Sequence, residues 1–568
     1  MATIQTDRAY AKKSFVGFGG IRATRPLDGG SARDVCNFRV LTDGTLRMRE
    51  GYSLLTYFPS GAVTALWEGR LGERSLLLAV CGDTVWQADP DTLAKKQIGT
   101  LPASPTRADF CAFADTLLLF SDLGCFVITG NGEGVRPCEP YAPLYGLEWS
   151  PVSFGEIHEP INLLTPRLRV HYRNSGGETF YLPFYASSID SVIVDGAPVT
   201  DFSFTKGSDR LRLSTAGSEV IVAFSVDLNT DLRQKLKGAK GYRHAEGGSE
   251  TLLLFGAEGD CRIYPSREVT SAALAEATLS YPHADPLYVT SEDVLFAGES
   301  TAPVHTLCPF MDRVLALSER RAYLLWRDEE GRMTVETALG DFGAREGGVT
   351  PYGNDVVAVA ESGVYRLQAL RTAPDEITLS PLALFRDGRL PFSLAAAPLA
   401  HFERTHGELW ICDRESESGE VWVLAPDASQ WYRFDNIPAK RILPDSRGLT
   451  FTSGNVLFRF EKGLYSDNGN SVSATYESEP FDFDSPHRRR RSLVAHLCSN
   501  TRGAAATLSL QSERAFVTAP ISGALQTSFP DYTAVHLTPH RHRFLRFSLS
   551  AVGGEGASFY KLLLDTNL

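Results

Sequence analysis

A short hairpin pattern recurs along this chain and constrains its fold more than any other feature. Each copy has a run of Leu, Val or Ile, a tight turn of Gly, Asp, Ser or Glu, and then an aromatic or β-branched run. Apolar runs on either side of such turn residues predict β-hairpins. The seven copies begin at Ser75, Thr116, Thr251, Arg313, Asp355, Glu408 and Gly448.

The spacing of the copies predicts how the hairpins are organised. Successive starts are 41, 135, 62, 42, 53 and 40 residues apart. A period of about 40–45 residues with one strong hairpin per unit is typical of a four-stranded propeller blade. The sequence therefore predicts an all-β chain built on a β-propeller of about seven blades; a stack of ordinary antiparallel hairpins in a sandwich is the alternative. Inner strands are expected at Val63, Phe110, Val304, Val349, Pro398 and Arg441.

Two further β modules are predicted outside the repeat. Residues 142–238 lengthen one step of the repeat and alternate apolar with polar residues in separate candidate strands, among them TFYLPFY and SVIVDGAPV. This pattern predicts an inserted small β-sandwich, closed by a helical stretch, NTDLRQKLKGAKG. The insertion is either a docking module on the propeller rim or an addition without a partner. Residues 471–568 offer seven candidate strands, which predict a C-terminal β-sandwich or jelly roll. The propeller then occupies 59–141 and 239–470, after an N-terminal arm and hairpin at 1–58.

Composition excludes several classes of protein. The formal net charge is −12, so the chain as a whole does not attract nucleic acid. The longest apolar runs, such as Leu76–Cys81, are far shorter than a membrane span of about 20 residues, and the first residues lack the apolar stretch of a signal peptide. The nine cysteines form no Cys-x-x-Cys pair and lie mostly inside apolar runs. We therefore expect reduced, mostly buried thiols and no membrane insertion.

The first 55 residues carry a second pattern. Phe-Gly-Gly precedes Asn37-Phe38, an Asp43-Gly44 hairpin turn, Leu46, Arg49 and Gly51-Tyr52. This combination, leading into a propeller, resembles the stabilization or tail-nozzle proteins of short-tailed phages. Glu50 departs from the pattern, where a proline is expected. Later segments that are similar to this family are Ser280–Val289, Phe342–Leu367, Trp431–Phe434 and Ser478–Ser492.

The resemblance implies a structural role. Such proteins form rings in the tail, below the portal and adaptor, where they retain packaged DNA and guide it out. It implies a non-enzymatic virion protein, assembled in the host cytoplasm, whose partners are copies of itself (a hexamer by family analogy), adaptor or other tail proteins, and DNA in transit. The alternative function is a glycan-binding or glycan-cleaving propeller used in host attachment.

The sequence lacks the common signatures of catalysis. It has no phosphate-binding Gly-x-x-x-x-Gly-Lys-Ser/Thr loop, no His-Glu-x-x-His and no Gly-x-Ser-x-Gly. Gly130, Gly132 and Gly134 are followed by prolines rather than a helix, so they predict a loop and not a dinucleotide site. A glycosidase needs two facing carboxylates, and the sequence cannot pair its candidate acids, for instance Asp109, Asp115, Asp312 and Asp341. We expect no catalytic residues, no cofactor and no metal.

Two basic segments are the remaining candidates for a site. Arg488, Arg489, Arg490 and Arg491 form an unbroken run of cations, for which a subunit interface, a solvated linker and a DNA contact are the open interpretations. The last 98 residues hold 10 Lys and Arg against 8 Asp and Glu, so a basic tail domain facing an acidic propeller favours the interface. A second segment, around His536, predicts an exposed basic edge, with a metal pair at the two later histidines as the alternative. Its candidate residues are His540, Arg541, His542 and Arg543.

Overall fold

The computed structural model is all-β, as predicted. It describes residues 10–567 except 16–17, 22–30, 90–91, 115, 130–131, 175, 216, 227–235, 271–286, 300, 371–372, 386–389, 426–429, 444–447, 481–491, 514, 522–530 and 538–543. These residues contain no α-helix, and a 3-10 turn spans Phe392–Ala395; no helix there is long and apolar enough to cross a membrane. The chain forms two compact units, one of Met1–Val63 with Phe342–Leu568 and one of Thr64–Asp341.

The chain up to Leu339 forms strands β1 to β31. The N-terminal strands are β1 Tyr10–Phe15, β2 Ala32–Cys36, β3 Phe38–Val40, β4 Leu46–Met48 and β5 Tyr52–Tyr57. Two repeat units follow as β6 Val63–Leu71, β7 Arg74–Cys81, β8 Thr84–Ala88, β9 Lys95–Thr100, β10 Ala108–Phe113, β11 Thr116–Ser121, β12 Gly124–Thr129 and β13 Gly134–Pro137. The insertion holds β14 Leu144–Trp149, β15 Arg167–Arg173, β16 Thr179–Val194, β17 Ala197–Pro198, β18 Phe202–Phe204, β19 Ser208–Leu213 and β20 Glu219–Val226. Then come β21 Lys240–Glu246, β22 Ser249–Phe255, β23 Arg262–Pro265, β24 Val269–Thr270, β25 Leu295–Phe296, β26 Gly298–Glu299, β27 Ala302–Pro303, β28 Thr306–Phe310, β29 Arg313–Leu317, β30 Ala322–Arg327 and β31 Met333–Leu339.

The rest of the chain continues the repeat and ends in the C-terminal module. The repeat strands are β32 Val349–Tyr352, β33 Asp355–Ala360, β34 Gly363–Leu370, β35 Ala373–Leu384, β36 Pro398–Glu403, β37 Glu408–Asp413, β38 Val421–Leu424, β39 Trp431–Phe434, β40 Arg441–Leu443, β41 Thr450–Ser453 and β42 Val456–Phe460. The remaining strands are β43 Ser466–Asp467, β44 Asn470–Ser471, β45 Ser473–Ser478, β46 Ser492–Asn500, β47 Ala505–Ser512, β48 Phe516–Ile521, β49 Asp531–Leu537, β50 Leu545–Val552 and β51 Ser558–Asn567.

All seven predicted hairpins are present, and each forms the two middle strands of a four-stranded path, which follows chain order in six of the seven cases. These paths are β6–β9, β10–β13, β21-β22-β23-β25, β28–β31, β32–β35, β36–β39 and β40–β42 closed by β5. Strand β5 pairs antiparallel with β42, so an N-terminal strand completes the last of these sheets. Four-stranded sheets in this order are the unit of a β-propeller, and the fold class is the predicted one.

The apolar runs of the repeat have a simple physical explanation. Along β11, Leu117 and Leu119 pack against Leu78 of the preceding sheet. The alternate residues Leu118 and Phe120 pack against the following sheet. Side chains alternate between the two faces of a strand, so a middle strand buried on both faces must be apolar at successive positions. Within each unit the successive sheets are thus stacked face to face.

The insertion folds around a core of its own, which includes Tyr172, Phe180 and Phe224. Its sheet order is β14-β15-β20-β16-β19-β18, so the strands form one continuous hydrogen-bonded sheet. Two segments expected as separate strands are joined in β16, which shifts register after Tyr181 and so pairs with both β19 and β20. The expected helix falls mostly at 227–235, outside the described residues.

The C-terminal module contains all seven expected strands, β45–β51. They lie in two sheets, which contain the paths β51-β46-β49 and β45-β50-β47-β48. The N-terminal segment completes both sheets, since β4 pairs with β51 and β2 pairs with β45. One apolar core runs from this module into the neighbouring blade sheets and includes both Leu497 and Trp410. The N-terminal strands are therefore an integral part of this unit rather than a free arm.

Candidate functional site: an arginine clamp and an apolar loop

Both basic segments expected as site residues lie outside the described residues. These are Arg488–Arg491 and the run from His540 to Arg543. The neighbouring His536 is described and is exposed on β49. The structure instead shows two other features. One unit contains a buried charged cluster, and the other unit contains an exposed apolar loop.

The buried cluster, which we call the arginine clamp, consists of Asn37, Arg39, Arg49, Glu50, Glu408, Asp435 and Asp467. Arg39 on β3 donates from Nε to Glu408 Oε1 at 2.7 Å and from Nη1 to Glu50. Glu408 also accepts from the Tyr432 hydroxyl at 2.8 Å and from Trp410 Nε1 at 2.9 Å. Burial acts to lower the pKa of Arg39, but the facing carboxylates of Glu408 and Glu50 hold that pKa above its ordinary value.

Arg49 is fully buried, and all five of its N–H donors are used. Its two terminal nitrogens bind both oxygens of Asp467, at 2.8 and 2.6 Å. The same nitrogens donate to the carbonyl oxygens of Glu50 at 3.0 Å and Asp435 at 2.9 Å, while Nε donates to Asn37 Oδ1 at 2.8 Å. A guanidinium has five such donors and no acceptor, so this site satisfies it completely.

The other residues of the N-terminal pattern surround this arginine. A Cβ atom added to Gly51 would lie 2.0 Å from the Ser466 carbonyl oxygen, so the position requires glycine. Tyr52 donates its hydroxyl to the Asn436 carbonyl at 2.6 Å, and its ring packs edge-on against Phe451 at 5.0 Å. Glu50, found where the resemblance leads one to expect proline, supplies a counter-charge to Arg39. The clamp thus joins the N-terminal hairpin to β37, β39 and β43.

One group near the clamp has the donor types of a metal site. Glu403, His406 and Glu408 form the only trio of His, Cys, Asp or Glu side chains this close together among the described residues. Glu403 accepts from the backbone N–H groups of Thr405 at 2.7 Å and His406 at 2.8 Å, and it faces His406 Nδ1 at 2.9 Å. Burial alone would raise the pKa of Glu403, but these hydrogen bonds lower it to about 2. Protein donors therefore already hold these carboxylates, which suits a structural turn better than a cation site.

The second feature, which we call the apolar loop, covers residues 150–158 of the insertion. Val152, Phe154 and Ile157 are 71, 57 and 59% exposed. The backbone beneath them is well held, because Trp149 Nε1 donates to the Glu156 carbonyl at 3.1 Å and His158 N–H donates to the Tyr145 carbonyl at 2.9 Å.

The indole of Trp149 lies under this loop, between two glycines. A Cβ atom added to Gly146 or Gly155 would come within 2.6 or 2.7 Å of the ring. Phe154 contacts the same ring, with centroids 5.4 Å apart. The loop therefore presents apolar side chains to solvent from a rigid base, which is the behaviour of a protein-contact surface.

The remaining sequence candidates do not converge. Gly132 lies between β12 and β13, and Gly134 begins β13 opposite Thr129, so the described part of this segment connects two strands, as the expected loop would. Gly130 lies outside the described residues. Of the candidate acids, Asp115 lies outside the described residues, and Asp109, Asp312 and Asp341 join no trio of His, Cys, Asp or Glu side chains in the described part.

The sequence points to only part of the clamp. The resemblance singles out Arg49, but its partner Asp467 and the second pair, Arg39 with Glu408, were missed. A charged residue inside an otherwise apolar strand segment, as in NFRV and ELWIC, is the signal that points to them.

Comparisons with known proteins add little beyond these geometries. No protein-family model and no curated protein matches the chain. Among solved structures, a streptogramin B lyase aligns with 73% of this chain and 98% of its own, at 7% identity and a TM-score of 0.37. An exo-β-1,3-galactanase from Phanerochaete chrysosporium, solved with β-1,3-galactotriose, aligns with 97% of this chain and 100% of its own, at 11% identity and a TM-score of 0.21. Similarity this weak carries no argument about what this chain binds or does.

Proposed function

We propose that the chain is a non-enzymatic virion structural protein, a tail nozzle or hub subunit of a tailed bacteriophage that forms a homo-oligomeric ring. One observation carries the proposal. Of the residues on which the family resemblance rests, Asn37 and Arg49 lie in the buried clamp, and Gly51 and Tyr52 pack directly beside it. Its charged and hydrogen-bonding groups are bound to one another and to the backbone. Such an arrangement suits a part that has to hold its shape under load.

The clamp explains how such a subunit stays in one piece. Breaking a buried ion pair by removing one partner is strongly destabilising, since the other charge is left without compensation. Arg49 and Asp467 lie 418 residues apart in the chain, so their pairing ties distant segments into one body. A subunit that retains DNA against packaging pressure needs this kind of internal tie.

The apolar loop explains how such a subunit can meet its neighbours. Exposed, preorganised Phe154 and Ile157 lose little side-chain freedom on contact, so their burial against a neighbouring copy is favourable. We assign the loop to the lateral contact between copies in the ring, and the ring to the virion tail after assembly in the host cytoplasm. Adaptor or other tail proteins and DNA in transit are the remaining proposed partners.

Reconstitution on virions tests the role directly. The purified chain is added to tail-deficient particles, and retention of packaged DNA is measured with a nuclease-protection assay. The proposal expects restored retention that depends on Phe154 and Ile157. Specific binding or hydrolysis on a panel of glycans, with no effect on retention, would favour the host-attachment alternative and contradict the proposal.

A further inference from the structure

Two cysteines face each other across neighbouring strands of the second blade sheet. Cys125 lies on β12, and Cys138 follows β13 directly. The register pairs Phe126 with Pro137, which places the two cysteines opposite one another at the next position. The Cys138 N–H donates to the Cys125 carbonyl oxygen at 2.9 Å, so the pair is a hydrogen-bonded cross-strand pair.

The Cα separation typical of such a pair suits a disulfide. In a hydrogen-bonded antiparallel pair the Cα atoms are about 5.5 Å apart, and disulfides span Cα separations of about 4.4–6.8 Å. A hydrogen bond with the Cys138 side chain, together with burial, raises the pKa of the Cys125 thiol well above its ordinary value. No disulfide joins the two cysteines in this structure.

Access distinguishes this pair from most of the other thiols. Six of the nine cysteines are buried, as expected, whereas Cys125 and Cys138 are partly exposed. Cys125 also borders an open cavity of about 320 Å³, whose lining includes Leu123, Leu163 and Lys237. Solvent therefore reaches the protein surface beside this pair.

We propose that Cys125 and Cys138 form a redox-responsive modification site that closes to a disulfide when the protein meets a small disulfide such as oxidised glutathione. One cysteine loses its proton and its thiolate attacks a glutathione sulfur, which forms a mixed disulfide and releases one glutathione thiolate. The other cysteine, also deprotonated, then attacks the protein sulfur of that mixed disulfide and releases the second glutathione. Two electrons pass from the cysteines to the small disulfide, and the released thiolates take up the two protons.

The bond would fasten the last strand of its sheet. It would link β12 to the chain leaving β13, which leads directly into the insertion with its apolar loop. A cross-link of this kind stabilises mainly by restricting the unfolded chain. Its use, to stiffen the subunit after release from the reducing host cytoplasm, rests on the proposed function, whereas the chemistry of the pair does not.

Peptide mapping of the full-length protein tests the proposal without any variant. The folded chain is incubated with oxidised glutathione, quenched with acid, denatured and alkylated, and then digested and analysed by mass spectrometry. The expected result is the loss of two of the nine alkylatable thiols and a linked peptide that joins Cys125 to Cys138. Nine alkylated thiols after prolonged incubation would overturn the proposal, and so would a bond from Cys125 to the nearby Cys111.

Two matched variants sharpen the assignment. Cys138→Ser should abolish the linked peptide and leave glutathione attached to Cys125 as the stalled mixed disulfide. Cys261→Ser removes another partly exposed thiol and should leave the linked peptide unchanged. Loss of the cross-link in Cys261→Ser, with the circular dichroism spectrum unchanged, would contradict the pairing. None of these outcomes depends on ring assembly, so they stand apart from the test of the proposed function.

Discussion

The arginine clamp and the apolar loop invert the usual distribution of side chains in opposite ways. The clamp buries charged groups such as Arg49 and Glu408, which are 0 and 1% exposed. The loop leaves large apolar groups such as Val152 and Phe154 in solvent. Buried charges need partners inside the chain, and those of the clamp have them. Exposed apolar groups gain most from a partner outside it. The first region therefore stabilises the fold, and under the proposed function the second mediates assembly.

Removal of the central cation of the clamp should give the largest effect. Arg49→Met leaves the Asp467 carboxylate buried without its guanidinium, and breaking a buried pair in this way costs about 3–5 kcal/mol. The free energy of unfolding, from urea titration of the purified chain, measures the loss. The matched control is Arg332→Met, because that arginine side chain is 72% exposed while paired with Asp328. It should cost at most about 1 kcal/mol. Equal losses in the two variants would remove the distinction between clamp and surface.

The acid sensitivity of the clamp region should follow Glu403. Its pKa in the folded protein is about 2, below the ordinary value of 4.5. A carboxyl group with a lowered folded-state pKa contributes stability that is present above about pH 4.5 and is lost as the pH falls towards 2. We expect Glu403→Gln to lower the free energy of unfolding by about 2–3 kcal/mol at pH 7 and by much less near pH 2–3.

The same titration includes an internal check. Partly buried His401 has its pKa lowered to about 4, mainly by burial, so its protonation also destabilises the fold as the pH falls from about 6.5 to 4. The charge of Glu403 raises the pKa of His401, so the difference between the two proteins reports Glu403 together with its effect on His401. A difference that stays constant from pH 7 to 3 would show that the carboxylate does not act through its charge.

A steric change at Gly51, beside the clamp, should lower the free energy of unfolding somewhat less. Gly51→Ala forces a Cβ atom against the Ser466 carbonyl, and overpacking of this kind costs about 1–3 kcal/mol. Gly340→Ala is the control, because an added Cβ atom there meets nothing within 4 Å. The midpoint of thermal unfolding should fall for Gly51→Ala and stay unchanged for Gly340→Ala. An unchanged midpoint in Gly51→Ala would mean that the backbone at Gly51 is not packed against the Ser466 carbonyl.

The apolar loop should give the smallest effect on folding and a large one on assembly. Phe154→Ser with Ile157→Ser changes exposed positions, so the free energy of unfolding should move by no more than about 0.5 kcal/mol. The same double variant should lose the oligomer, as measured by light scattering at matched concentration. Exposed Phe516 on β48 is the control, and Phe516→Ser should assemble normally. A loop variant that unfolds, or one that assembles like the wild type, would break the comparison.

The sequence predicts one part of this molecule much better than the other. Middle strands such as β11 and β37 are buried on both faces, so their continuous apolar runs stand out, and every repeat hairpin was found. The clamp depends on pairs such as Arg39 with Glu408, which are 369 residues apart. A local pattern can single out each charged residue within its apolar segment, but it cannot show that the two residues pair. The merging of two expected strands into β16 was missed for a similar reason, since the bulges that join them are set by the neighbouring strands. The exposure of Phe154 is likewise a tertiary property.

Particle mass and symmetry test the central claim most directly. The full-length chain is examined by light scattering and by electron microscopy, alone and bound to virions, and the blade sheets are traced in the averaged map. The account predicts a closed ring of identical subunits, six by family analogy, with the apolar loop at the subunit boundary. A monomer that does not join virion tails, or a particle whose subunits touch nowhere near Phe154 and Ile157, would contradict it.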